Sequence, residues 1–301
     1  MSLTTVLGDY ELTSPLVAAS GTVGSVVDFR GVIDFSLYGA ATAKSVAPEA
    51  WPGRQPPRIA PSDNGMLNGI GIQNPGVGEW LSTYGTEITS IPTQVWASVV
   101  AHDIDGFVEV ASAMDTSQVA AIEINLSCPN LDGVPFALDP NLSAKVVRSV
   151  RSVTSKPISA KLSPDAQPIS SVAAAVAEAG ADWVVVANTV MGARIDPETR
   201  KPALSGLIGG YSGAPIRPIA VRSVLEISRD IPDLPIVGCG GVSTAGHLVE
   251  FLLAGASAVA LGSAHFKTPR VAKSITKQLD RYMTRHDVST IAELIGAYEP
   301  W

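Results

Sequence analysis

Residues 178–189 read EAGADWVVVANT, and residues 253–264 read LAGASAVALGSA. Both stretches run in the same order: the end of a helical pattern, an Ala-Gly-Ala turn, an apolar run without alternation, and a polar end. A continuous apolar run is typical of a strand that is buried on both faces, as in a parallel sheet. The repetition therefore predicts successive βα units whose helices end at Gly180 and Gly255.

Six further apolar runs of the same kind occur along the chain, at residues 16–20, 38–45, 94–100, 121–127, 157–163 and 235–241. Together with the runs at 183–189 and 258–264 they give eight candidate strands. Helical patterns, for example at 168–180 and 244–255, lie between several of them. This order favours an α/β fold of the (β/α)8 TIM-barrel class over an open doubly wound sheet. No linker or low-complexity segment interrupts it, so we expect residues 1–301 to form a single domain.

The composition excludes several classes of protein. The 301 residues are 46% hydrophobic and 16% charged, with a net charge of −7, which fits a large core and argues against a nucleic-acid partner. The first residues lack a signal-peptide pattern, and no apolar run reaches the ~18 residues of a membrane span. Two cysteines cannot build a disulfide framework or a four-cysteine site, and no cluster has metal-ligand spacing. We expect a cytoplasmic protein with no membrane segment and no metal site.

Three connections are longer than a barrel requires, namely 46–93, 128–156 and 190–234. Each follows the C-terminal end of a predicted strand, where barrel active sites are built. The polar and small residues at these strand ends are Ser20, Lys44, Ser45, Ser98, Asn125, Cys128, Lys161, Asn188, Thr189, Gly240, Gly241, Gly262 and Ser263. If the barrel forms, these residues converge on one pocket.

Two features of this set indicate an anionic ligand. Lys44 and Lys161 each end an apolar strand in this interpretation, where a lysine is costly unless it meets an anion; the alternative is a side chain that reaches the rim. Gly240–Gly241 and Gly262–Ser263 follow the seventh and eighth strands, the usual phosphate site of such barrels. Tight turns alone would also explain these glycines.

The segment NGMLNGIGIQNPG at 64–76 combines glycines with amide side chains. Glycine lets consecutive backbone N–H groups point to a ligand, and the amides add donors and acceptors. Such a loop suits a flat polar heterocycle that carries a carboxylate. It is also compatible with an ordinary surface turn.

Cys128 lies in EINLSCPNLDG at 123–133, in a polar setting between Asn125 and Asn130. A buried structural cysteine is the alternative, but the loop position and flanking amides favour a reactive thiol. No motif links any of the four histidines, His102, His247, His265 and His286, to Cys128. Proton abstraction therefore fits better than acyl transfer. Cys239 in PIVGCGG is interpreted as a buried strand residue.

The motifs NLSCPN (125–130), LNGIGIQNPG (67–76) and GGYSGAPIRPIA (209–220) together resemble the dihydroorotate dehydrogenases, most closely the catalytic subunit of the class 1, type 1B enzymes. The resemblance covers nearly the whole chain, since SGTVG (20–24), AKLSP (160–164), ANTVMGARID (187–196) and GASAVALGSA (255–264) follow in family order. It implies a TIM barrel that binds FMN and oxidises dihydroorotate to orotate in pyrimidine biosynthesis.

The resemblance also implies roles for individual residues. Cys128 would be the base that removes the C5 proton, while hydride passes from C6 to FMN. The substrate would be held by Lys44, Asn68, Asn125, Asn188 and Thr189 and by the backbone of Ile70, Gly71 and Ile72. FMN would be lined by Ser20, Lys44, Ser45, Ser98, Asn125, Lys161, Ala187, Ser212, Gly213, Gly240, Gly241, Gly262 and Ser263.

The chain departs from the family pattern at three places. Ser98 stands where the family usually has asparagine, Tyr211 replaces a leucine, and LDGVPFALDP at 131–140 lacks a double glycine that is common in type 1B. Type 1A enzymes are homodimers that use fumarate, whereas type 1B enzymes pass electrons to NAD through a separate subunit with FAD and an iron–sulfur cluster. We expect a homodimer, with or without such a subunit.

Two other functions remain compatible with the sequence. One is FMN-dependent chemistry on another dihydropyrimidine, as in dihydropyrimidine dehydrogenase or dihydrouridine synthase. The other is a flavin-free barrel that acts as a binding or assembly subunit. The acidic chain shows no basic extension for RNA, which disfavours a dihydrouridine synthase.

Overall fold

The structure is a computed structural model and describes residues 2–126 and 136–301. Its strands are β1 (Thr5–Leu7), β2 (Tyr10–Leu12), β3 (Leu16–Ala18), β4 (Ala40–Thr42), β5 (Ile59–Ser62), β6 (Gly65–Asn68), β7 (Gln94–Val99), β8 (Ala121–Asn125), β9 (Ile158–Leu162), β10 (Trp183–Val186), β11 (Val190–Ala193), β12 (Ile208–Gly213), β13 (Ile236–Cys239) and β14 (Ala258–Leu261). Its α-helices are α1 (Val77–Tyr84), α2 (Ile104–Asp115), α3 (Pro140–Arg151), α4 (Ile169–Glu178), α5 (Arg217–Asp230), α6 (Ala245–Leu253), α7 (Ala264–Lys267) and α8 (Val271–Arg285).

A closed barrel forms the centre of the molecule. Its strands follow one another around the barrel in the order β3, β4, β7, β8, β9, β10, β13 and β14, and every neighbouring pair is parallel. These strands coincide with the eight apolar runs of the sequence, so the predicted (β/α)8 barrel is confirmed. The observed strands are shorter than the runs, because the polar residues at the run ends lie beyond the sheet.

The apolar runs are continuous because each strand contacts core on both sides. In β8, Ile122 and Ile124 pack into the outer core between strands and helices, whereas Ala121 belongs to the interior of the barrel. Since successive side chains of a strand point to opposite faces, Glu123 and Asn125 also face the interior. The same alternation turns Ser159 and Lys161 inward in β9, next to Ile158 and Ala160 in the outer core.

The β1–β2 hairpin closes the N-terminal end of the barrel. Its strands pair antiparallel, and Tyr10 packs 6.1 Å from Trp96 and 5.1 Å from Trp183, measured between ring centroids. Trp96 Nε1 donates a hydrogen bond to the Tyr10 hydroxyl at 3.1 Å. An aromatic layer of this size excludes water from that end. The opposite end, at the carboxyl ends of the strands, is left for ligands.

Helices surround the barrel, and two of them end as the sequence predicts. The C-cap of α4 is Ala179, followed by Gly180 with φ +108°, and the C-cap of α6 is Ala254, followed by Gly255 with φ +111°. Glycine adopts this left-handed backbone without the steric cost that a Cβ brings. α6 begins at Thr244, whose side chain accepts a hydrogen bond from the His247 backbone N–H. The crossover from β3 to β4 uses short 3-10 turns at 27–29 and 35–37 instead of an α-helix.

Two of the long connections join into a second sheet. β5 and β6 come from the connection 46–93, β11 and β12 come from 190–234, and they pair antiparallel in the order β11, β12, β6 and β5. Loops from distant parts of the sequence are thereby held in one register beside the carboxyl ends of the barrel strands. This sheet positions the residues described next.

Candidate active site at the barrel mouth

The two lysines of the predicted pocket lie close together. Lys161 is the fourth residue of β9, rather than its end, and is 6% exposed; Lys44 follows β4 by two residues. Burial lowers the pKa of Lys44 to about 8, and the positive charge of Lys161 contributes to the lowering. Two neighbouring ammonium groups at a concave end of the barrel attract an anionic or electron-rich ligand.

A hydroxyl and amide network lies beside the lysines. The hydroxyls of Ser45 and Ser98 are 2.8 Å apart, and Asn125 Nδ2 donates to Ser45 Oγ at 3.1 Å. Ser20 Oγ donates to the Ala43 carbonyl at 2.8 Å, which ties the loop after β3 to the end of β4. These contacts connect the ends of four adjacent barrel strands, β3, β4, β7 and β8, at the mouth, as the convergence of strand ends predicts.

Glu123 is a buried charge that the sequence reasoning missed. It is 2% exposed inside the barrel, in register with Ser159 on β9 and Ser98 on β7. Burial raises the pKa of the Glu123 carboxyl, and the positive charge of Lys161 opposes this shift. The signal in the sequence is a carboxylate inside an apolar run, two residues before Asn125.

The second sheet contributes amides and a hydroxyl. Asn68, at the end of β6, donates from Nδ2 to the Gly210 carbonyl at 3.2 Å. A Cβ on Gly210 would lie 2.1 Å from Thr189 Oγ1, so β12 needs glycine to pack against the residue that precedes β11. Asn188 Oδ1 accepts the Thr189 backbone N–H at 2.9 Å. Asn68 Nδ2 would lie 3.2 Å from the same Cβ, so the Asn68 and Thr189 side chains adjoin one space above Gly210.

Residues 70–72 lie farther out on the loop after β6. Arg54 donates its backbone N–H to the Ile70 carbonyl at 3.0 Å, and Gly71 and Ile72 have φ values of +70° and +53°. Ile72 and Trp51 both pack against the buried pair Ala47 and Val100. In the ranges 2–126 and 136–301, these residues take no part in the Ser45, Ser98 and Asn125 network. The positive φ of Ile72 is unusual for a β-branched residue and marks a backbone held in place by its surroundings.

Glycines gather at the rim after β12, β13 and β14. Gly213 and Gly241 have φ values of +105° and +68°, and a Cβ on Gly241 would lie 2.7 Å from the Gly213 carbonyl oxygen. Gly240 follows Cys239, which pairs with Ala260 on β14, so the two glycine-containing ends are level with each other. The rim also contains Ser212, Gly262 and Ser263. The Ser212 hydroxyl donates to the Met66 carbonyl at 3.3 Å, and Gly262 faces open space. Ser263 lies at the start of α7.

Of the two cysteines, the structure describes only Cys239. Cys239 is buried in the interior of the barrel and its carbonyl accepts the Ala187 backbone N–H at 2.8 Å. Burial raises the pKa of its thiol, as expected for the inert strand residue that the sequence predicts. Cys128 and Asn130 lie outside the described residues.

His265 belongs to a buried structural network. Thr22 Oγ1 donates its proton to the Ala19 carbonyl at 2.7 Å, so it accepts from His265 Nδ1 at 3.0 Å. His265 Nε2 then accepts from the Tyr38 hydroxyl at 2.8 Å. Burial lowers the pKa of His265 to about 4, so the ring is neutral at pH 7. Both ring nitrogens of His265 are therefore engaged in hydrogen bonds.

Comparison with known proteins decides the family. The sequence model of the family described as "Dihydroorotate dehydrogenase" matches residues 2–283. The chain belongs to the dihydroorotate dehydrogenase family. Three similar proteins are each named dihydroorotate dehydrogenase B (NAD(+)), catalytic subunit, and come from Shouchella clausii, Bacillus pumilus and Desulforudis audaxviator. The Shouchella clausii protein is 37% identical over 293 residues, which cover 96% of each chain. The Bacillus pumilus protein is 39% identical over 293 residues (96% of this chain and 94% of the relative). The Desulforudis audaxviator protein is 38% identical over 289 residues (95% of this chain and 94% of the relative).

Membership of the dihydroorotate dehydrogenase family makes the protein an oxidoreductase and confirms the resemblance seen in the motifs. The structure shows the contacts made at two of the positions that depart from the family pattern. Ser98 keeps a polar contact through Ser45, and Tyr211 packs over Gly65, where a Cβ would lie 2.6 Å from its ring. The bulky ring at 211 is accommodated by glycine on the neighbouring strand. Within the described ranges, no helix is long and apolar enough to cross a membrane.

Proposed function

We propose that the protein oxidises dihydroorotate to orotate with FMN as the bound cofactor. The observation that carries this proposal is the pair of lysines, Lys44 and Lys161, held together at the barrel mouth beside Asn125. An anionic ring substrate and an electron-rich cofactor are both suited to such a site. The names of the similar proteins, all dihydroorotate dehydrogenase B catalytic subunits, support the same substrate.

The residues of the mouth fit FMN. The backbone segments at Gly213 and Gly241 lie so close together that a Cβ on Gly241 would clash, and Gly262 faces open space. Backbone N–H groups at this rim are therefore accessible to phosphate oxygens. Lys161 offers a cation to the electron-rich part of the flavin ring. The remaining residues that we propose for the cofactor are Ser20, Lys44, Ser45, Ser98, Asn125, Ala187, Ser212, Gly240 and Ser263.

FMN, when bound, supplies the acceptor for the hydride that leaves C6 of dihydroorotate. The protein supplies the base: Cys128 Sγ takes the proton from C5, so one proton and one hydride leave and orotate remains. Lys44 provides the positive charge for the substrate carboxylate. The amides of Asn68, Asn125 and Asn188, the Thr189 hydroxyl and the backbone of Ile70, Gly71 and Ile72 complete the proposed substrate site.

We also propose partners. The similar proteins are named catalytic subunits of an NAD(+)-dependent enzyme, which supports a separate subunit with FAD and an iron–sulfur cluster that carries electrons to NAD. A homodimer is supported by exposed apolar side chains on and beside the second sheet. These are Ile59, Met191, Ile195, Leu207 and Ile208, each between 46% and 60% exposed.

The test is reduction of the flavin by substrate. Protein loaded with FMN is mixed with dihydroorotate without oxygen, and the flavin absorption band is followed. We expect rapid bleaching by dihydroorotate and poor bleaching by dihydrouracil, which lacks the carboxylate. Equal rates with both would indicate another dihydropyrimidine as substrate, and a protein that binds no flavin would contradict the cofactor.

A further inference from the structure

Glu123 is a buried carboxylate that the chemistry proposed above does not use. It is 2% exposed, and its Oε1 has no hydrogen-bond partner among the described residues. Burying a carboxylate without a partner is costly in free energy. A residue that carries this cost in the centre of the barrel is expected to act on another charge nearby.

The strand register identifies that charge. β8 and β9 are parallel, with Asn125 opposite Lys161 and Glu123 opposite Ser159. Glu123 and Lys161 therefore face the same interior and are diagonal neighbours, a spacing within reach of long side chains. Glu123 lies one layer deeper than Lys161, on the side away from the mouth.

We propose that Glu123 is a positioning residue: it is a counter-charge beneath Lys161 that keeps this lysine a cation and leaves its N–H donors for a ligand at the mouth. A carboxylate beside the ammonium group would take up those donors. A carboxylate one layer below contributes charge across the low-dielectric interior without competing for the donors. The relevance to flavin chemistry rests on the proposed function, whereas the charge pairing itself does not.

The charges around the pair are consistent with this arrangement. Burial works to lower the pKa of Lys161, but the nearby Glu123 carboxyl and, after it, the Cys239 sulfur work to raise it, and the net result is a raised pKa. Among the described residues, Lys44 is also coupled to Lys161, and the repulsion between the two lysines makes a counter-charge more necessary. The neighbouring strands β7 and β10 contribute neutral groups, Ser98 and Trp183.

The charge pair is tested by the pH dependence of stability in the full-length chain. Denaturant midpoints are measured from pH 5 to pH 10 for the wild type, E123Q, K161Q, the double variant E123Q/K161Q, and S159A as a neutral control from the same layer. In E123Q the buried lysine lacks its counter-charge, so its folded pKa drops below the unfolded value of ~10.4. The folded state then holds fewer protons, and stability relative to the wild type rises as pH increases towards 10.

K161Q has the opposite slope. Glu123 without Lys161 keeps a raised pKa in the fold, while the unfolded carboxyl ionises near pH ~4.3. Stability relative to the wild type therefore falls as pH rises from 5 through neutrality. The double variant and S159A are expected to parallel the wild type. Slopes that do not oppose each other, or S159A behaving like E123Q, would overturn the pairing.

If E123Q fails to fold, the double variant E123Q/K161Q shows whether the uncompensated lysine charge is the cause. If E123Q does not fold because of an uncompensated lysine charge, E123Q/K161Q folds, since removing both partners of a buried pair is tolerated better than removing one. If the double variant also fails while S159A folds, the carboxyl is required for packing and the proposal is wrong.

A second readout addresses the flavin. The midpoint potential of bound FMN is measured against pH for the wild type and E123Q. We expect an additional break in the E123Q profile below pH 10, where Lys161 loses its proton, and no such break in the wild type. Opposed stability slopes without this break would show that the pair exists but does not face the flavin. Parallel potential profiles combined with parallel stability profiles would reject the proposal.

Discussion

Lys44 and Lys161 lie together at the barrel mouth, yet their surroundings shift their pKa values in opposite directions. Lys161 has the negative charge of Glu123 in the layer beneath it, and its pKa is raised. For Lys44, burial and the charge of Lys161 both lower the pKa, to about 8. Lys44 is therefore the cation that depends on pH in the physiological range, and Lys161 is the constant one.

This difference predicts how substrate binding changes with pH. Because Lys44 loses its charge as pH rises through about 8, the KM for dihydroorotate should increase above pH 8. Lys44→Met should have a high KM at all pH values, while Lys273→Met, on the exposed face of α8, should follow the wild type. Steady-state kinetics from pH 6.5 to 9.5 (a range of ~3 units around the Lys44 value) measure this. A wild-type KM that stays constant across the range would contradict the role of Lys44.

Cys128 carries the second prediction at the residue scale. Cys128→Ala should keep FMN bound and slow flavin reduction by ~10²–10⁴-fold, the usual contribution of a general base. Rapid-mixing spectroscopy without oxygen gives the rate, and the yellow colour of the variant is the control for cofactor binding. An unchanged rate would place the base elsewhere in the chain.

The residues of the site differ in how far sequence predicts them. Lys44, Lys161 and Asn125 are predictable, because a polar group within or at the end of an apolar run is costly unless it has a use. Glu123 carries the same signal, but its pairing with Lys161 depends on the register of β8 against β9, which the sequence does not contain. Cys128 lies outside the described residues, so its role stays a prediction.

At the scale of elements, the glycine turns at the rim determine how closely the backbone approaches a ligand. Gly241 has φ +68°, and a Cβ there would lie 2.7 Å from the Gly213 carbonyl oxygen. Gly241→Ala should therefore cost ~1–2 kcal/mol of stability and weaken FMN binding. Gly246→Ala, inside α6 with its nearest neighbour at 3.8 Å, should be neutral or stabilise by up to ~1 kcal/mol.

Thermal unfolding and FMN titration test this pair of variants. Both substitutions add one methyl group to a glycine. A difference in stability or FMN affinity between Gly241→Ala and Gly246→Ala is therefore caused by the position of the glycine and not by its replacement as such. Equal effects on FMN binding would show that the rim glycines serve only as turns, which is the alternative that the sequence left open.

The elements themselves were predictable to different degrees. All eight barrel strands follow from continuous apolar runs, and α4 and α6 follow from their periodic patterns and terminal glycines. The sheet formed by β5, β6, β11 and β12 was not predicted, because β6, which ends at Asn68, must meet β12, which begins only at Ile208. The position of Asn68 beside Thr189 depends on that sheet.

For the whole molecule, the second sheet predicts an interface between two copies of the chain. Light scattering after size exclusion should give twice the chain mass of 31.2 kDa for the wild type. The double variant Ile195→Glu/Ile208→Glu places charges among the exposed apolar residues and should be monomeric. Val6→Glu makes the same change at the other end of the barrel and should remain dimeric. A monomeric wild type, or a dimeric double variant, would contradict this interface.

Conversion of dihydroorotate to orotate by this chain, through a flavin at the barrel mouth, can be followed directly. The most direct measurement is a single turnover without oxygen, quenched with acid, in which orotate and reduced flavin are quantified together. We predict one orotate for each flavin reduced, with no orotate formed by protein stripped of FMN. Flavin reduction without orotate, or orotate formed without FMN, would contradict the claim.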